Sequence, residues 1–141
     1  MLPVAVSFIV PAYNESSYID ECLSAIIAEC REEKVDFELI VIDNGSTDDT
    51  AQLAERHTLH VHTIDRTSVA NARNAGAAIA NHGILIFIDA DVVITNRWAQ
   101  TLLVNYARYV DLPLFLAGHQ YIVRHDGSWI ERHWFGNIQD K

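Results

Sequence analysis

The sequence contains little cysteine, and it has no long uninterrupted apolar segment. Its two cysteines, Cys22 and Cys30, are eight positions apart in one predicted helix. They are therefore about 12 Å apart along the helix axis, too far for a disulfide, and two reduced thiols favour a reducing compartment. No apolar stretch reaches the roughly 20 residues that a membrane-spanning helix needs. No basic segment precedes the apolar residues 3–10, as it would in a signal peptide.

Positive charge is also scarce. The chain has 10 Lys and Arg residues against 19 Asp and Glu residues, a formal net charge of −9. Binding to nucleic acid depends on Lys and Arg facing phosphates, so this composition argues against a nucleic-acid partner. A nucleotide ligand stays compatible, because a bound cation can supply positive charge locally. Half of the 141 residues are hydrophobic, and the length predicts a single globular domain over residues 1–141.

Short apolar segments rich in β-branched residues alternate with segments that have helical spacing. The predicted strands are Val4–Val10, Phe37–Ile42, Leu59–Ile64 and Ile84–Ile88. The predicted helices are capped by Ser17, by Ser46 or Thr47, by Thr67 or Ser68, and by Asn96. This order predicts an α/β fold with a mostly parallel β-sheet flanked by helices on both faces. For residues 114–135, the sequence predicts a less regular extended segment or a hairpin.

Polar residues follow three of the four predicted strands. In open parallel sheets, ligands bind outside the carboxyl ends of the strands, so these residues are the candidates for a site. They are Tyr13, Asn14 and Glu15 after the first strand, Asp43 and Asn44 after the second, and Asp89 and Asp91 after the fourth.

Asp89 and Asp91 are separated by one residue at the end of the most apolar strand. Two carboxylates there are unfavourable unless positive charge lies beside them. Mg²⁺ or Mn²⁺ held by one or two carboxylates and by substrate phosphates is one solution. In the other, one Asp caps the next helix and its partner is solvated. The tripeptide alone leaves both interpretations open.

The other candidates also have two interpretations each. Asp43 or Asn44 can hydrogen-bond a nucleobase edge, or can belong to an ordinary strand–helix turn. Tyr13 can stack on a base, a contact of about 1–3 kcal/mol in nucleic-acid binders, or can be a partly buried strand-end tyrosine. Arg73 can pair with a phosphate, or with an acid such as Asp43.

Four segments in this order resemble the pattern of the family 2 glycosyltransferases. They are PAYNE at 11–15, DNGSTDD at 43–49, ARNAG at 72–76 and FIDAD at 87–91. The resemblance covers Ala5–Arg97 and implies a GT-A type, Rossmann-like fold. It further implies an inverting transfer of a sugar from a nucleotide-diphospho-sugar to an acceptor hydroxyl, with Mn²⁺ or Mg²⁺ at the Asp-x-Asp motif.

The resemblance also implies roles for individual residues. The family usually has Asp at the position of Asn44, so the base stays open among uracil, thymine and guanine, and the donor among UDP-, GDP- and dTDP-sugars. Tyr13 matches the aromatic residue that packs on the base, and Arg73 matches a position near the diphosphate. The implied nucleotide-binding residues are Pro11, Tyr13, Glu15, Asp43, Asn44, Arg73 and Asp89, and the implied metal ligands are Asp91 and Asp89.

An inverting transferase needs a general base for the acceptor hydroxyl. In the family this base is a downstream carboxylate, usually in an acidic pair, and no such pair follows Asp91. We therefore expect the chain to be cut before the acceptor-binding half, and we assign no catalytic base. The acceptor, whether saccharide, lipid or protein, is not predicted. The expected location is the cytoplasm, with peripheral association at the inner face of a membrane as an extension.

Two other functions are compatible with parts of the sequence. A non-catalytic nucleotide-sugar-binding module would also lack the base. A phosphohydrolase of the haloacid dehalogenase type shares an Asp-x-Asp at a strand end, but its motif ends the first strand, whereas Asp89 and Asp91 follow the fourth. A dinucleotide-binding Rossmann domain is disfavoured, because no G-x-G-x-x-G follows the first strand.

Overall fold

The computed structural model describes residues 4–95 and 97–109. The strands are β1 (Ala5–Ala12), β2 (Asp36–Asp43), β3 (His60–Thr63) and β4 (Ile84–Phe87). The helices are α1 (Ile19–Glu32), α2 (Thr50–Ala54), α3 (Val69–Ile79) and α4 (Trp98–Tyr109). The chain divides into two units, Met1–Arg108 and Tyr109–Lys141, and these elements lie in the first apart from the last residue of α4. The predicted cap Asn96 and the predicted extended segment at 114–135 lie outside the described residues, and the single domain over 1–141 stays a prediction.

The described strands form one parallel sheet in the order β3-β2-β1-β4, which confirms the predicted fold class. β1 and β2 pair without offset, from Ala5 opposite Asp36 to Ala12 opposite Asp43. Because β3 pairs with β2 up to Asp43 opposite Thr63, these three strands end at one level. The loops that follow them therefore meet at one edge of the sheet.

Helices cover both faces of the sheet, as predicted. On one face, α1 and α4 pack on alternate residues of β1 and β2 in the main core. There the fully buried Phe8 ring contacts Trp98 of α4, with 5.6 Å between ring centroids. On the other face, Ala72 of α3 packs against Ile40 and Ile42. The small residues of α3 allow a close approach, since a Cβ at Gly76 would overlap Cγ2 of Ile9.

Glu38, near the amino end of β2, links the sheet by hydrogen bonds to the residues that follow α3. Its carboxylate accepts hydrogen bonds from Ser7 Oγ (2.5 Å) and from Asn81 N and Nδ2 (2.5 and 2.8 Å). Desolvation acts to raise the pKa of Glu38, but these hydrogen bonds outweigh it and lower the pKa to about 2.

The structure corrects two of the predicted helix caps and confirms a third. Ser17 does not cap α1, which begins after Tyr18 without a side-chain cap. For α2, the acceptor for the Thr50 backbone N–H is Asp48 Oδ1, and neither Ser46 nor Thr47 fills this role. The reason is that Asn14 engages both residues from the loop after β1. Ser68 caps α3 as predicted, accepting from Asn71 N at 3.2 Å.

Cys22 and Cys30 are both free and buried, in agreement with the prediction of two reduced thiols. Over residues 4–95 and 97–109, none of the helices has the length and apolar character needed to cross a membrane.

Candidate functional site

The loops after β1 and β2 are joined by hydrogen bonds at the carboxyl edge of the sheet. Asn14 donates from its backbone N–H to Ser46 Oγ (3.0 Å) and accepts from Thr47 N at Oδ1 (2.8 Å). Its φ of 55° is a left-handed conformation that Asn tolerates better than most residues. Glu15 N donates to the buried Thr50 Oγ1 at 2.8 Å. The two loops therefore form one connected rim.

Asp48 strengthens this rim from the side of α2. It accepts from Thr50 Oγ1 at 2.5 Å and from the backbone N–H of Ser16 at 3.2 Å. The Thr50 hydrogen bond is the main reason that the pKa of Asp48 falls to about 2. The sequence presents Asp48 only as part of the DNGSTDD segment at 43–49, and its role in the rim is not predicted.

Asp43 and Asn44 are almost fully buried, with 2% and 3% of their surface exposed. Asp43 Oδ1 accepts from Ser46 N at 3.2 Å. The Asn44 amide pairs with the peptide groups of Thr67, since Oδ1 accepts from Thr67 N and Nδ2 donates to Thr67 O, both at 2.9 Å. Asn44 therefore fastens the loop after β3 to the end of β2, with one Nδ2 hydrogen outside this pairing. Pro11 is buried within β1, opposite Ile42.

Tyr13 lies at the same edge with 38% of its surface exposed. The guanidinium carbon of Arg66 lies 3.5 Å from the centroid of the Tyr13 ring, in a cation–π contact. Arg66 was not predicted as a site residue. The available signal is its place three residues after β3, the one strand whose carboxyl end has no predicted site residue.

Arg73 of α3 and Asp89 after β4 form an ion pair, with Nη2 and Oδ1 at 2.5 Å. The sequence had suggested an acid such as Asp43 as the partner of Arg73, and the structure gives Asp89 instead. Arg73 Nε is buried and has no hydrogen-bond partner among the described residues. A buried donor without a partner is unusual in proteins, and it marks Arg73 as a candidate ligand contact.

Asp91 is exposed, and within the described part of the chain no hydrogen bond or ion pair engages its carboxylate. Its charge is nevertheless felt by Glu15, whose pKa is raised by burial and then by Asp91, Asp48 and Asp89. The Cys22 thiol, 3.7 Å from Asp89 O, has its pKa raised to about 12 by burial and then by Asp91 and Asp89. The edge thus concentrates negative charge that little in the described chain neutralises.

This charge distribution fits a hard divalent cation. Residues 4–95 and 97–109 contain no group of three or more His, Cys, Asp or Glu side chains arranged to hold a metal by themselves. A two-carboxylate site completed by ligand phosphates needs no such group, and Mg²⁺ commonly binds in this way. Asp91 and Asp89 carry carboxylate oxygens of the kind that such a site uses.

An open hollow lies elsewhere, beside the amino ends of β2 and β3. Arg31, Phe37, His57 and Leu59 are among its lining residues. Its lining contains none of the predicted site residues, and its one acid, Glu38, is already engaged by Ser7 and Asn81. We therefore take the carboxyl edge of the sheet, where negative charge and the unsatisfied Arg73 donor lie, as the candidate functional site.

Comparison with known proteins gives the family of the chain. The chain matches the sequence model of Glycosyl transferase family 2 over residues 7–134. Among curated proteins, it is 31% identical over 101 residues to Glycosyltransferase AglE of Haloferax volcanii, covering 67% of this chain and 33% of that protein.

Solved structures give the same fold. S. aureus TarS 1–349 has a TM-score of 0.66 at 23% identity, covering 83% of this chain and 39% of that one. Mannosyltransferase PcManGT of Pyrobaculum calidifontis, solved in complex with GDP-Man and Mn²⁺, has a TM-score of 0.59 at 29% identity. That match covers 77% of this chain and 32% of the mannosyltransferase.

The chain spans about a third of the length of the curated relatives that it matches. The matched residues 7–134 include all of the predicted nucleotide-binding and metal-binding positions. They favour the glycosyltransferase interpretation over the haloacid dehalogenase one. With this match over most of its length, the chain belongs to glycosyltransferase family 2.

Proposed function

We propose that this chain is the donor-binding part of an inverting glycosyltransferase. It binds a nucleotide-diphospho-sugar at the carboxyl ends of β1, β2 and β4, and the whole protein transfers the sugar to an acceptor hydroxyl. The observation that carries this proposal is a group of neighbouring carboxylates: besides burial, the charges of Asp91 and Asp89 raise the pKa of Glu15. At the same edge, Arg73 has a buried donor with no partner among the described residues. Such an edge is suited to a diphosphate that arrives with a divalent cation.

In this proposal, the base stacks on Tyr13, whose ring is partly exposed. Asn44 contributes its remaining amide hydrogen, while Asp43, Pro11 and Glu15 shape the pocket through the loops that they fix. Arg73 donates from Nε to a diphosphate oxygen, a charge-assisted hydrogen bond. The nucleobase stays open among uracil, thymine and guanine, and the relative that binds GDP-Man supports including guanine in any test.

Asp91, with Asp89, would hold the divalent metal. Mn²⁺ or Mg²⁺ bound there supplies Lewis-acid stabilisation of the charge on the departing diphosphate. The Mn²⁺ in the mannosyltransferase complex supports this choice of ion. Arg73 adds a fixed positive charge to the same group. Its pairing with Asp89 leaves Asp91 as the carboxylate with no competing partner among the described residues.

The general base is assigned to no residue of this chain. A non-catalytic donor-binding module therefore remains the second candidate for this part of the protein, and the two functions share the same nucleotide site. The two buried free thiols support a cytoplasmic location. Peripheral association with the inner face of a membrane stays a prediction.

A calorimetric titration with UDP, GDP and dTDP, each with and without Mn²⁺, tests the proposal. We expect one nucleotide to bind at micromolar to millimolar concentration and only with the metal. A folded protein that binds none of the three in the presence of Mn²⁺ contradicts the proposal.

A further inference from the structure

The loop after β3 holds Arg66 in a defined position. Thr67, its neighbour, is fixed by both hydrogen bonds of the Asn44 amide. Gly45, in the loop after β2, has a φ of 74°, and a Cβ there would lie 3.1 Å from Arg66 N. Only a residue without a side chain fits comfortably at this approach. The Thr67 hydrogen bonds therefore anchor the main chain beside Arg66 to the end of β2, and Gly45 allows the close approach of Arg66 itself.

From this anchored position, the Arg66 guanidinium covers one face of the Tyr13 ring at 3.5 Å. Stacked planar groups are in van der Waals contact at about this separation. A guanidinium and a nucleobase therefore cannot share this face of the ring. Because Thr67 is bound to Asn44, the guanidinium that covers Tyr13 belongs to a loop that is fixed to the predicted base contact Asn44.

We propose that Arg66 occludes the base subsite of the free protein. Its guanidinium occupies the face of Tyr13 that the nucleobase needs, and it leaves that face when the base binds. The affinity for the base then depends on the difference in free energy between two contacts, the base on the Tyr13 ring and the Arg66 guanidinium on the same ring. This inference rests on the proposed donor-binding function, and it adds Arg66 as a residue that weakens and thereby tunes nucleotide binding.

The proposal predicts an effect opposite to that expected for an arginine that attracts phosphate. Removing the side chain with Arg66→Ala should tighten binding of the nucleoside diphosphate by about threefold, the range set by an exposed cation–π contact. The titration is done with Mn²⁺ in about 1 M salt, where the Debye length is about 3 Å and long-range attraction is screened. It uses whichever of UDP, GDP and dTDP binds the wild-type protein.

Tyr13→Ala provides the matched background. In that variant there is no ring to occlude, so adding Arg66→Ala should leave the dissociation constant unchanged. Weaker or unchanged binding by Arg66→Ala in the wild-type background overturns the inference. Failure of the wild-type protein to bind any nucleotide is a different result, since it overturns the proposed function itself.

A second measurement, by NMR, does not depend on a change in nucleotide affinity. In the free protein, the Arg66 side-chain protons lie over an aromatic ring, so their NMR signals should be shifted upfield; comparison with Arg66→Lys assigns them. Adding the nucleotide should return these signals towards ordinary arginine values. If the upfield shift persists in the nucleotide complex, the guanidinium has stayed in a stack and the inference is wrong.

Discussion

Arg73 and Asp89 connect α3 to the loop after β4 through an ion pair of 2.5 Å, whereas Asp91, two residues further on, has no such partner among the described residues. The two carboxylates of one Asp-x-Asp motif are therefore not equivalent. The arginine neutralises the first, whereas the second is the carboxylate that we propose to hold a cation. Arg73 therefore has two effects that can be measured separately, one on the binding of the diphosphate and one on the binding of the metal.

Arg73→Ala should weaken nucleoside diphosphate binding by about tenfold, because a charge-assisted hydrogen bond to an oxygen of the diphosphate is lost. Binding of Mn²⁺ alone should not weaken, since Asp89 loses its competing partner. Calorimetry with each ligand separates the two effects. Arg31→Ala is the control, because this exposed arginine lies in the last turn of α1 beside the opposite end of the sheet. Equal loss of nucleotide binding in both variants would contradict the assignment.

Glu15→Gln should stabilise the metal-free protein at pH 7. The fold raises the pKa of Glu15 above its ordinary 4.5, so its stabilising contribution is present below pH 4.5 and is lost as the pH rises through the raised pKa. A neutral Gln avoids that loss. We expect a rise of about 1–3 °C in Tm at pH 7, and none at pH 4. Thermal unfolding of the variant and of Glu32→Gln, an exposed control on α1, measures this.

Gly76→Ala should destabilise the protein by about 1–2 kcal/mol. The added methyl group overlaps the fully buried Ile9, and overpacking outweighs the gain of about 1 kcal/mol in helix propensity. Urea unfolding measures the difference. Gly83→Ala is the matched control, because apart from its chain neighbours no described residue has an atom within 4 Å of a Cβ placed there. A Gly76→Ala variant as stable as the wild type would mean that α3 does not approach β1 so closely.

Much of this arrangement follows from local sequence patterns. Short apolar runs predicted the four strands, and parallel pairing then required Asp43 and Asp89 to lie at one edge. The contacts that refine the site depend on register and could not be predicted. Arg66 reaches Tyr13 only because β3 pairs with β2 up to Thr63, and β3 is a short strand with little apolar pattern. Likewise, Ser17 is of a residue type that often caps helices. In the structure, however, the backbone carbonyl of Glu15, which belongs to the rim, holds the start of α1.

Glu38→Gln should destabilise the protein by about 1 kcal/mol at pH 7, because an amide replaces a carboxylate that accepts three hydrogen bonds. The fold lowers the pKa of Glu38 to about 2. Its contribution is therefore present above pH 4.5 and is lost as the pH falls towards 2. Chemical unfolding at several pH values should show the variant and the wild type converging in that interval. Asp36→Asn, at the exposed start of β2, should show no such convergence.

Nucleotide titration of Asp91→Ala decides whether a metal-dependent donor site lies at Asp91. The control is Asp49→Ala, which removes an exposed acid at the N-terminus of α2. With Mn²⁺ present, Asp91→Ala should lose at least about tenfold in nucleotide affinity, and its residual binding should no longer depend on the metal. Asp49→Ala should bind as the wild type does. If a folded Asp91→Ala protein keeps both the wild-type affinity and its dependence on Mn²⁺, the metal is held elsewhere and the account of this site is wrong.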